Sequence, residues 1–243
     1  MNETTTPPAS PERTRHVGQA HRSGQLPPGQ RRLDRFPRFG THAGKPAPTI
    51  SADPVVEIGG AVTPGVSVRV ADLATFPRRH LEADFHCVSG WTAVGLCWEG
   101  VAFADFYRLV IEPALRPGAV VTHVELRGLD GFRSVITIED ALDDAVLLAD
   151  HLDGVPFGDD HGAPLRVVSP GQYGYVSTKH LGRIDVHTAA PVGGRRSFVL
   201  DVLLHSHPRA RVWEEERHGA LPGRVVRPFY RVVAAMMLRR VRP

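Results

Sequence analysis

Short stretches of alternating apolar and polar residues, rather than long helical repeats, dominate the middle of this chain. Apolar residues at every second position, or in short β-branched runs bounded by Gly or Pro, are typical of strands. The pattern predicts strands over Pro54–Gly60, Ser67–Val70, Leu96–Gly100, Val120–Leu126, Val135–Ile138, Leu165–Val168, Val176–Val186 and Phe198–Leu204.

Helical spacing is confined to short segments and to the C-terminus. Helices or helical turns are predicted near Asp72, over Ala104–Glu112, after Ile138 and over Pro222–Val241. In the second of these, Phe106, Leu109 and Val110 share one side of the helix. Because strands and short helices mix without regular βαβ alternation, the pattern predicts an α+β fold with mixed β-sheets rather than a doubly wound one.

Composition divides the chain into three parts. Residues 1–30 are polar and rich in Pro, Thr and Ser, which predicts a disordered arm. Residues 31–210 hold the predicted strands and form one domain, and residues 211–243 form a basic helical extension. The N-terminus lacks the apolar segment of a secretory signal, and no apolar run reaches the roughly 18–20 residues of a membrane span. We therefore expect a cytoplasmic protein with reduced thiols.

Charge excludes little except strong nucleic-acid binding. With 42% hydrophobic and 23% charged residues, the 243-residue chain can bury a substantial core. Its net charge of +3 is too mild to predict a nucleic-acid partner, and the arginines concentrate towards the two ends.

The two cysteines, Cys87 and Cys97, do not form the CxxC pair of a structural metal site. Cys87 lies in the unusual segment Asp84–Trp91, between an acidic-aromatic-imidazole triplet and a small-residue turn. Its thiol could be a nucleophile, a metal ligand or a small buried hydrophobe. His86 is its neighbour, but adjacent side chains point to opposite faces of a strand, so the pair cannot be assumed to meet.

Two later segments have the composition of an anion site. In Asp159–Arg166, the arginine begins an apolar strand, so its guanidinium needs a partner, and a phosphate or a pterin would suit it. His161 would be a second donor to the same anion. In Ser169–His180, two glycines, the hydroxyl residues Ser177 and Thr178, and Lys179 provide the donors of a phosphate cradle, although the segment does not match a Walker loop. A surface turn is the alternative in both cases.

Histidines also cluster near the C-terminus. His205 and His207, with Glu214–Glu216 and His218, contain the side chains of a metal site. Scattered histidines in a polar segment are more often solvated surface, so this group is left without a function.

Taken in order, these motifs resemble the sulfite-oxidase-type molybdopterin oxidoreductases. Asp84–Trp91 followed by Leu96–Val101 is similar to the cysteine segment of that family. Leu147–Ala149, Gly154, Asp160–Arg166 and Pro170–Lys179 then follow in the family's order, so the resemblance runs from about Pro54 to about Val186. Each motif is modest by itself, whereas the ordered set is specific.

The resemblance implies a sulfite-oxidase-like fold and a mononuclear molybdenum held by one molybdopterin and by the thiolate of Cys87. Soft thiolate donors suit such a metal. His161 and Arg166 would contact the pterin and its phosphate, and the phosphate end would be held by Ser177, Thr178 and Lys179. Weaker candidates for completing the pocket are Arg127 and a loop that contains Phe39, Thr41 and His42.

The implied reaction is two-electron oxygen-atom transfer to or from a small oxo-acceptor or oxo-donor, with electrons exchanged through a separate protein. Two departures argue against sulfite: the family's sulfite oxidases have a tyrosine where this chain has Asp150, and an arginine where it has Val176. The methionine-sulfoxide reductase relatives have a lysine at the second position and an export signal. The chain also ends too soon for the family's C-terminal dimerisation domain, so we expect a monomer.

Two other functions remain open. One is a thiol enzyme in which Cys87 is the nucleophile and His86 or His180 is its base. The other is a binding module that keeps the fold without turnover, which the departures at Asp150 and Val176 favour.

The basic C-terminal helix allows three interpretations. Its apolar residues alternate with arginines, so it could lie on a membrane surface or dock a redox partner. The simpler expectation is that it packs its apolar side onto the domain.

Overall fold

The structure, a computed structural model, describes residues 25–39, 46–191, 207 and 209–240. Its strands are β1 (Arg31–Leu33), β2 (Val55–Gly60), β3 (Ser67–Arg69), β4 (Arg78–Cys87), β5 (Trp91–Ala102), β6 (His123–Gly128), β7 (Arg133–Thr137), β8 (Leu147–Leu152), β9 (Val155–Pro156), β10 (Arg166–Val168) and β11 (Leu181–His187). Its α-helices are α1 (Phe103–Phe106), α2 (Ile138–Ala141) and α3 (Gly223–Arg240).

The first sheet is built around the long strand β5. Strand β4 runs antiparallel to β5 along its whole length and ends at Cys87, which is paired with Trp91. The other edge of β5 takes β1 in parallel and β8 in antiparallel orientation, and β8 in turn pairs with β10 and β9. This arrangement places Cys87 at the hairpin end of the sheet.

The second sheet has the strand order β3-β2-β11-β6-β7. Side chains of successive residues point to opposite faces of this sheet. In β2, Val56 and Ile58 are therefore buried while Val55 and Glu57 are exposed. Only the β2–β11 pair is parallel among the pairings of this sheet. Both sheets are therefore mixed, with short helices between them, and the predicted α+β class is confirmed.

Two apolar clusters fill the interior. The larger contains residues of both sheets, such as Leu148 of the first and Val124 of the second, and includes Phe103, Phe106 and Ile111. The smaller lies on the first sheet and includes Cys87, Trp91, Trp98 and Ala234 of α3. Cys87 is thus a member of a packed core, and the C-terminal helix belongs to the same core.

The predicted elements agree with the structure except where packing overrides local pattern. The predicted strand over 176–186 begins only at Leu181, because Val176 and the residues after it make turn hydrogen bonds instead of a ladder. The sequence did not predict β4 or β8 as strands, since neither alternates cleanly. The predicted strand over 198–204 lies outside the described residues.

The predicted helix over 104–112 is present in altered form. It begins as α1 but continues as a π-helical turn, Tyr107–Ile111, and then as a 3₁₀ turn over Glu112–Ala114. The wider turn changes which residues face inward. Ile111 is therefore buried, and Leu109, expected on the inner side, is 53% exposed.

The two predicted terminal segments both contact the domain where they are described. Residues 25–30, assigned from composition to the arm, lie against the first sheet: Pro27 is buried and Gln30 bonds to the Cys87 carbonyl. In the C-terminal extension, Val212 and Arg217 are buried before α3 begins. Among the described residues, no helix has the length and apolarity that crossing a membrane requires.

Candidate functional site

Cys87 is held at the end of a tight hairpin. Gly90 closes the turn by donating its backbone N–H to the Cys87 carbonyl at 2.9 Å, and its φ of +96° is a conformation that favours glycine. The same carbonyl accepts a bond from Nε2 of Gln30 at 3.1 Å. The backbone of the cysteine is therefore fixed on both sides.

The Cys87 thiol is buried and neutral in this environment. Its Sγ lies 3.0 Å from Oγ of Ser89. Burial raises the pKa of the thiol to about 11, and the Ser89 hydrogen bonds and the positive charge of Arg217 oppose this only in part. A strongly bound cation at the sulfur would reverse the balance, because a metal stabilises the thiolate.

His86 does not act on this thiol. It lies on the opposite face of β4, where its Nδ1 is 2.9 Å from Oγ1 of Thr92. Burial lowers the pKa of His86 to about 4. Nδ1 of His180 lies 2.6 Å from the Ala163 carbonyl. The Cys87 thiol instead lies against Ser89, and neither histidine forms a hydrogen bond with the thiol in the described part of the chain.

Arg166 is fully buried, and no carboxylate of the described residues forms an ion pair with it. Its two terminal nitrogens donate to the carbonyls of His161 and Ser177, at 3.1 and 3.2 Å, while Nε has no hydrogen-bond partner among the described residues. The rings of Phe36, Phe85 and Trp98 lie 5.4–5.7 Å from its guanidinium carbon. Burial lowers the pKa of Arg166 to about 9. A buried guanidinium with an unused donor is a site for an anion.

His161 and Lys179 extend this cationic site. The His161 ring stacks on Phe36 at 4.8 Å, and its buried Nδ1 has no hydrogen-bond partner in the described part of the chain. Burial, Lys179 and Arg166 lower the pKa of His161 to about 4. Burial, Arg166 and Arg38 likewise lower the pKa of Lys179 to about 7. The nearby carboxylate, Asp160, is 3.3 Å from Arg38 and largely exposed.

Aromatic rings connect the anion site to the cysteine. Phe85 and Trp91 flank Cys87 in the hairpin, and both pack against Phe36, which also contacts His161 and Arg166. The structure therefore brings the predicted residues Cys87, His161, Arg166 and Lys179 into one region.

The predicted hydroxyl donors have structural partners of their own. Ser177 Oγ accepts the Ser169 backbone N–H at 3.2 Å, which leaves its own hydrogen available. Thr178 is fully buried and its Oγ1 lies 2.7 Å from Oγ of Ser134. As a phosphate donor, Ser177 is thus better placed than Thr178.

The weaker predicted residues are divided. Phe39 packs edge-on against Trp91 at 5.3 Å and so lies beside the cysteine hairpin. Thr41 and His42 lie outside the described residues. Arg127 is on the second sheet, where its Nε is 3.0 Å from Glu125 and 3.1 Å from Asp185. Because two carboxylates already hold this guanidinium, the structure gives no support for a role in the pocket.

Sequence reasoning missed two residues beside Cys87. Gln30 was assigned to the disordered arm, and Arg217 to the basic helical extension. Arg217 is buried, donates to the carbonyls of Val88 and Pro28, and lies over the Tyr173 ring at 4.9 Å. An arginine buried from a segment more than one hundred residues away leaves no local signal, since only the tertiary contact reveals it.

Two open clefts lie elsewhere. A cleft of about 460 Å³ is lined by His207, Glu214–Glu216 and the residues that lead into α3, and one of about 240 Å³ is lined in part by Ser169–Gln172. The described residues contain no group of three or more side chains arranged to hold a metal. His207 is within 3.4 Å of Glu216, which also binds Arg211, so the described part of the histidine cluster is an ion-pair network.

Comparison with known proteins assigns the chain to a protein family. A family model described as "Oxidoreductase molybdopterin binding domain" matches residues 44–193, more than half of the sequence. The chain belongs to this family. It contains a sulfite-oxidase-type molybdopterin-binding domain, which confirms the resemblance inferred from the ordered motifs.

Relatives within the molybdopterin oxidoreductase family differ in substrate. The uncharacterized oxidoreductase YuiH of Bacillus subtilis is 32% identical over 69% of this chain and 81% of its own length. The catalytic subunit MsrP of a protein-methionine-sulfoxide reductase from Xanthomonas axonopodis is 28% identical over 62% of this chain, and the Arabidopsis thaliana sulfite oxidase is 30% identical over 48%. The chain spans only 51% and 37% of those two proteins.

The fold of the domain is also found in a solved structure. The sulfane dehydrogenase SoxCD from Paracoccus pantotrophus superposes with a TM-score of 0.53 at 24% identity. The match covers 69% of this chain and 46% of that one. It supports the sulfite-oxidase-like fold and, at this identity, the fold alone.

Asp150 and Val176, the two departures from the family's sulfite oxidases, do not line the cysteine. Asp150 binds Arg78 at 2.6 Å. Arg78 and Cys87 begin and end the ten-residue β4, so a rise of about 3.3 Å per residue separates their backbones by roughly 30 Å. Val176 is fully buried in the larger core. The identity of these two residues therefore does not exclude sulfite as a substrate.

Gly174 is required by the close packing of this region. A Cβ at this position would lie 2.1 Å from Phe85, whose ring is confined by Phe36 and Arg166. We expect Gly174→Ala to lower the free energy of unfolding by about 1–3 kcal/mol, as overpacking does. Urea unfolding followed by circular dichroism measures it. Gly171→Ala is the matched control in the same loop, where no atom lies within 4 Å; equal stability of the two variants would contradict this explanation.

Proposed function

We propose that this protein is a molybdenum-dependent oxidoreductase in which the thiolate of Cys87 is a ligand of the metal. When bound, the cofactor supplies two-electron oxygen-atom transfer to or from a small oxo-acceptor or oxo-donor. The observation that carries the proposal is a buried cysteine beside a cationic site in which two buried nitrogens, Arg166 Nε and His161 Nδ1, lack a hydrogen-bond partner among the described residues, in a chain of this family.

The donor set fits a pterin phosphate. Nε of Arg166 and Nδ1 of His161 are buried polar atoms without a hydrogen-bond partner among the described residues, and such atoms cost free energy unless a ligand satisfies them. Arg166, Lys179 and Arg38 add positive charge, which the carboxylates of Asp160 and Asp130 offset in part. A phosphate would satisfy both donors and neutralise the charge.

Different residues of the site would hold the phosphate, the pterin and the metal. Arg166 and Lys179 would hold the phosphate, with Ser177 as a hydroxyl donor, and His161 would contact the pterin from its stack on Phe36. Cys87 would hold the metal, and the hairpin bonds from Gly90 and Gln30 orient its backbone. The aromatic rings around Phe36 exclude water between the two ends of the site.

A thiol enzyme is the poorer alternative. A cysteine nucleophile needs a lowered pKa or an adjacent base. Burial instead raises the pKa of Cys87, and its thiol lies against Ser89 rather than in a hydrogen bond with His86 or His180. A binding module without turnover has lost its main argument, since neither Asp150 nor Val176 lies beside the cysteine.

Metal analysis tests the proposal. The full chain, produced in a host that makes molybdopterin, should contain close to one molybdenum and one pterin per protein. After reduction with dithionite, the metal should be reoxidised by an S-oxide or N-oxide. If protein purified from such a host contains no molybdenum, the proposal is refuted. Bound metal that is neither reduced nor reoxidised would favour the module without turnover.

Electron exchange completes the proposed cycle. We propose a separate electron-transfer protein as the partner and the cytoplasm as the compartment. The similarity to MsrP, a catalytic subunit, is in keeping with a division between catalysis and electron supply.

The phosphate site has an expected pH dependence. Because the pKa of Lys179 is about 7 without an anion, its ammonium is mostly charged near pH 6 and mostly neutral near pH 8.5. A bound anion keeps the proton on Lys179, so the complex holds more protons than the cofactor-free protein. Anion binding should therefore weaken as the pH rises through 7, by up to roughly tenfold per unit.

Sulfate, whose charge is constant over this range, is the probe. It should raise the melting temperature of the cofactor-free protein clearly at about pH 6 and much less at about pH 8.5. The Lys179→Arg variant keeps its positive charge over this range, so sulfate should stabilise it equally at both pH values. Equal stabilisation of the unmodified protein at both values would contradict the assignment of Lys179.

A further inference from the structure

Helix α3 has two apolar faces, of which the described residues cover only one. Val226, Tyr230 and Ala234 are buried against the domain, and Ala234 belongs to the same core cluster as Cys87. The other face carries an outer stripe that we define as Val225, Phe229, Val232 and Met236, which are 59%, 46%, 59% and 55% exposed. This spacing aligns the four side chains along one line of the helix.

The outer stripe is long for an exposed apolar surface. From Val225 to Met236 it extends about 16 Å at 1.5 Å per residue. Leu221, 47% exposed, continues it by one turn before the helix begins. A contiguous apolar surface on a soluble domain commonly marks a contact with another surface.

The charge around the outer stripe is of one sign. Arg224 and Arg231 are exposed, and neither forms an ion pair with a described residue. Residues 223–243 contain no Asp or Glu and include six arginines, among them Arg239, Arg240 and Arg242 beyond the stripe. Arg227 is different, since Glu215 holds it at the domain.

We propose that α3 docks the protein onto an anionic lipid surface, with the outer stripe entering the interface and Arg224 and Arg231 reaching the headgroups. An apolar line bordered by arginines, without acidic residues, is the pattern of helices that lie in a membrane interface. Long arginine side chains can keep their charge at the headgroups while the helix lies deeper. The buried face holds α3 to the domain, so docking brings the catalytic domain to the membrane.

Sedimentation of the full chain with vesicles tests the proposal. The protein should bind vesicles of phosphatidylcholine with phosphatidylglycerol, and much less to phosphatidylcholine alone. Replacing both exposed arginines, Arg224→Gln with Arg231→Gln, should weaken binding to anionic vesicles roughly 30-fold. Replacing three stripe residues, Val225→Ser, Phe229→Ser and Val232→Ser, should weaken it at least about tenfold.

The matched control removes equally exposed apolar side chains elsewhere. Val120 and Val155 are 74% and 63% exposed on other elements, and Val120→Ser with Val155→Ser should leave vesicle binding unchanged. Far-ultraviolet circular dichroism confirms that each variant keeps its helix. Binding needs no cofactor, so its failure would leave the proposed redox function untouched.

Three results would overturn the proposal. The first is no binding to anionic vesicles at low salt, and the second is binding that the stripe variant retains in full. The third is a concentration-dependent dimer that protects the stripe while vesicles do not bind, which would assign the stripe to a second copy of the chain.

Discussion

Cys87→Ser is expected to abolish turnover of the loaded enzyme while the pterin stays bound. A serine hydroxyl does not replace a soft thiolate as a ligand. The loss should exceed the roughly 10–100-fold that removal of an outer partner of a metal site costs. The pterin should remain, because Arg166, Lys179 and Ser177 hold its phosphate independently of the sulfur. Molybdenum content, pterin fluorescence and the Mo(V) resonance spectrum separate these effects.

Cys97→Ser is the matched control. Cys97 is exposed on β5 of the same sheet, so its replacement should change neither turnover nor the spectrum. A Cys87→Ser enzyme with an unaltered Mo(V) spectrum would show that the thiolate is not a ligand. Loss of the pterin together with the metal would contradict the separate role of the phosphate contacts.

Arg166→Met is expected to separate stability from cofactor binding. The cofactor-free protein buries this guanidinium with no ion pair to a described carboxylate, and replacement of buried charge by an apolar side chain is often neutral or stabilising. Two carbonyls, of His161 and Ser177, lose a donor and oppose this gain. We therefore expect the free energy of unfolding of the cofactor-free protein to stay within about 2 kcal/mol of the unmodified value.

Cofactor retention by the same variant should fall by about 10–100-fold, the contribution of one or two charged hydrogen bonds to a phosphate. Urea unfolding measures the first quantity, and pterin content after dialysis measures the second. Arg69→Met, which removes an exposed arginine paired with Asp72, should change neither by much. Unaltered pterin retention in Arg166→Met would refute the phosphate assignment.

Much of the fold was accessible from local pattern. The pattern in β2, for example, predicted the strand, and the structure buries Val56 and Ile58, because a half-covered sheet requires apolar side chains at every second position. The strand β4 was not predicted, although it carries the cysteine. Its sequence mixes charged and aromatic residues, since both of its faces are covered near Cys87 and a register shift occurs between Ala83 and Phe85.

The candidate site was accessible only in part. His161, Arg166 and Lys179 could be inferred from composition and from the family resemblance, because buried cations in glycine-rich segments need an anion. Arg127 was also inferred, yet its guanidinium is held by Glu125 and Asp185. Residue type tells that a charge needs a partner but not which partner the fold provides.

The sequence by itself determined the family, through motifs in a fixed order, and the presence of a basic terminal helix, through its periodicity. The tertiary structure decided which donors lack a partner, since that depends on packing between residues far apart in the chain. It also decided that Asp150 lies far from Cys87, that Gln30 and Arg217 lie next to it, and that α3 buries one apolar face while exposing another. Local pattern records the preferences of a residue, whereas burial and pairing arise only when distant segments meet.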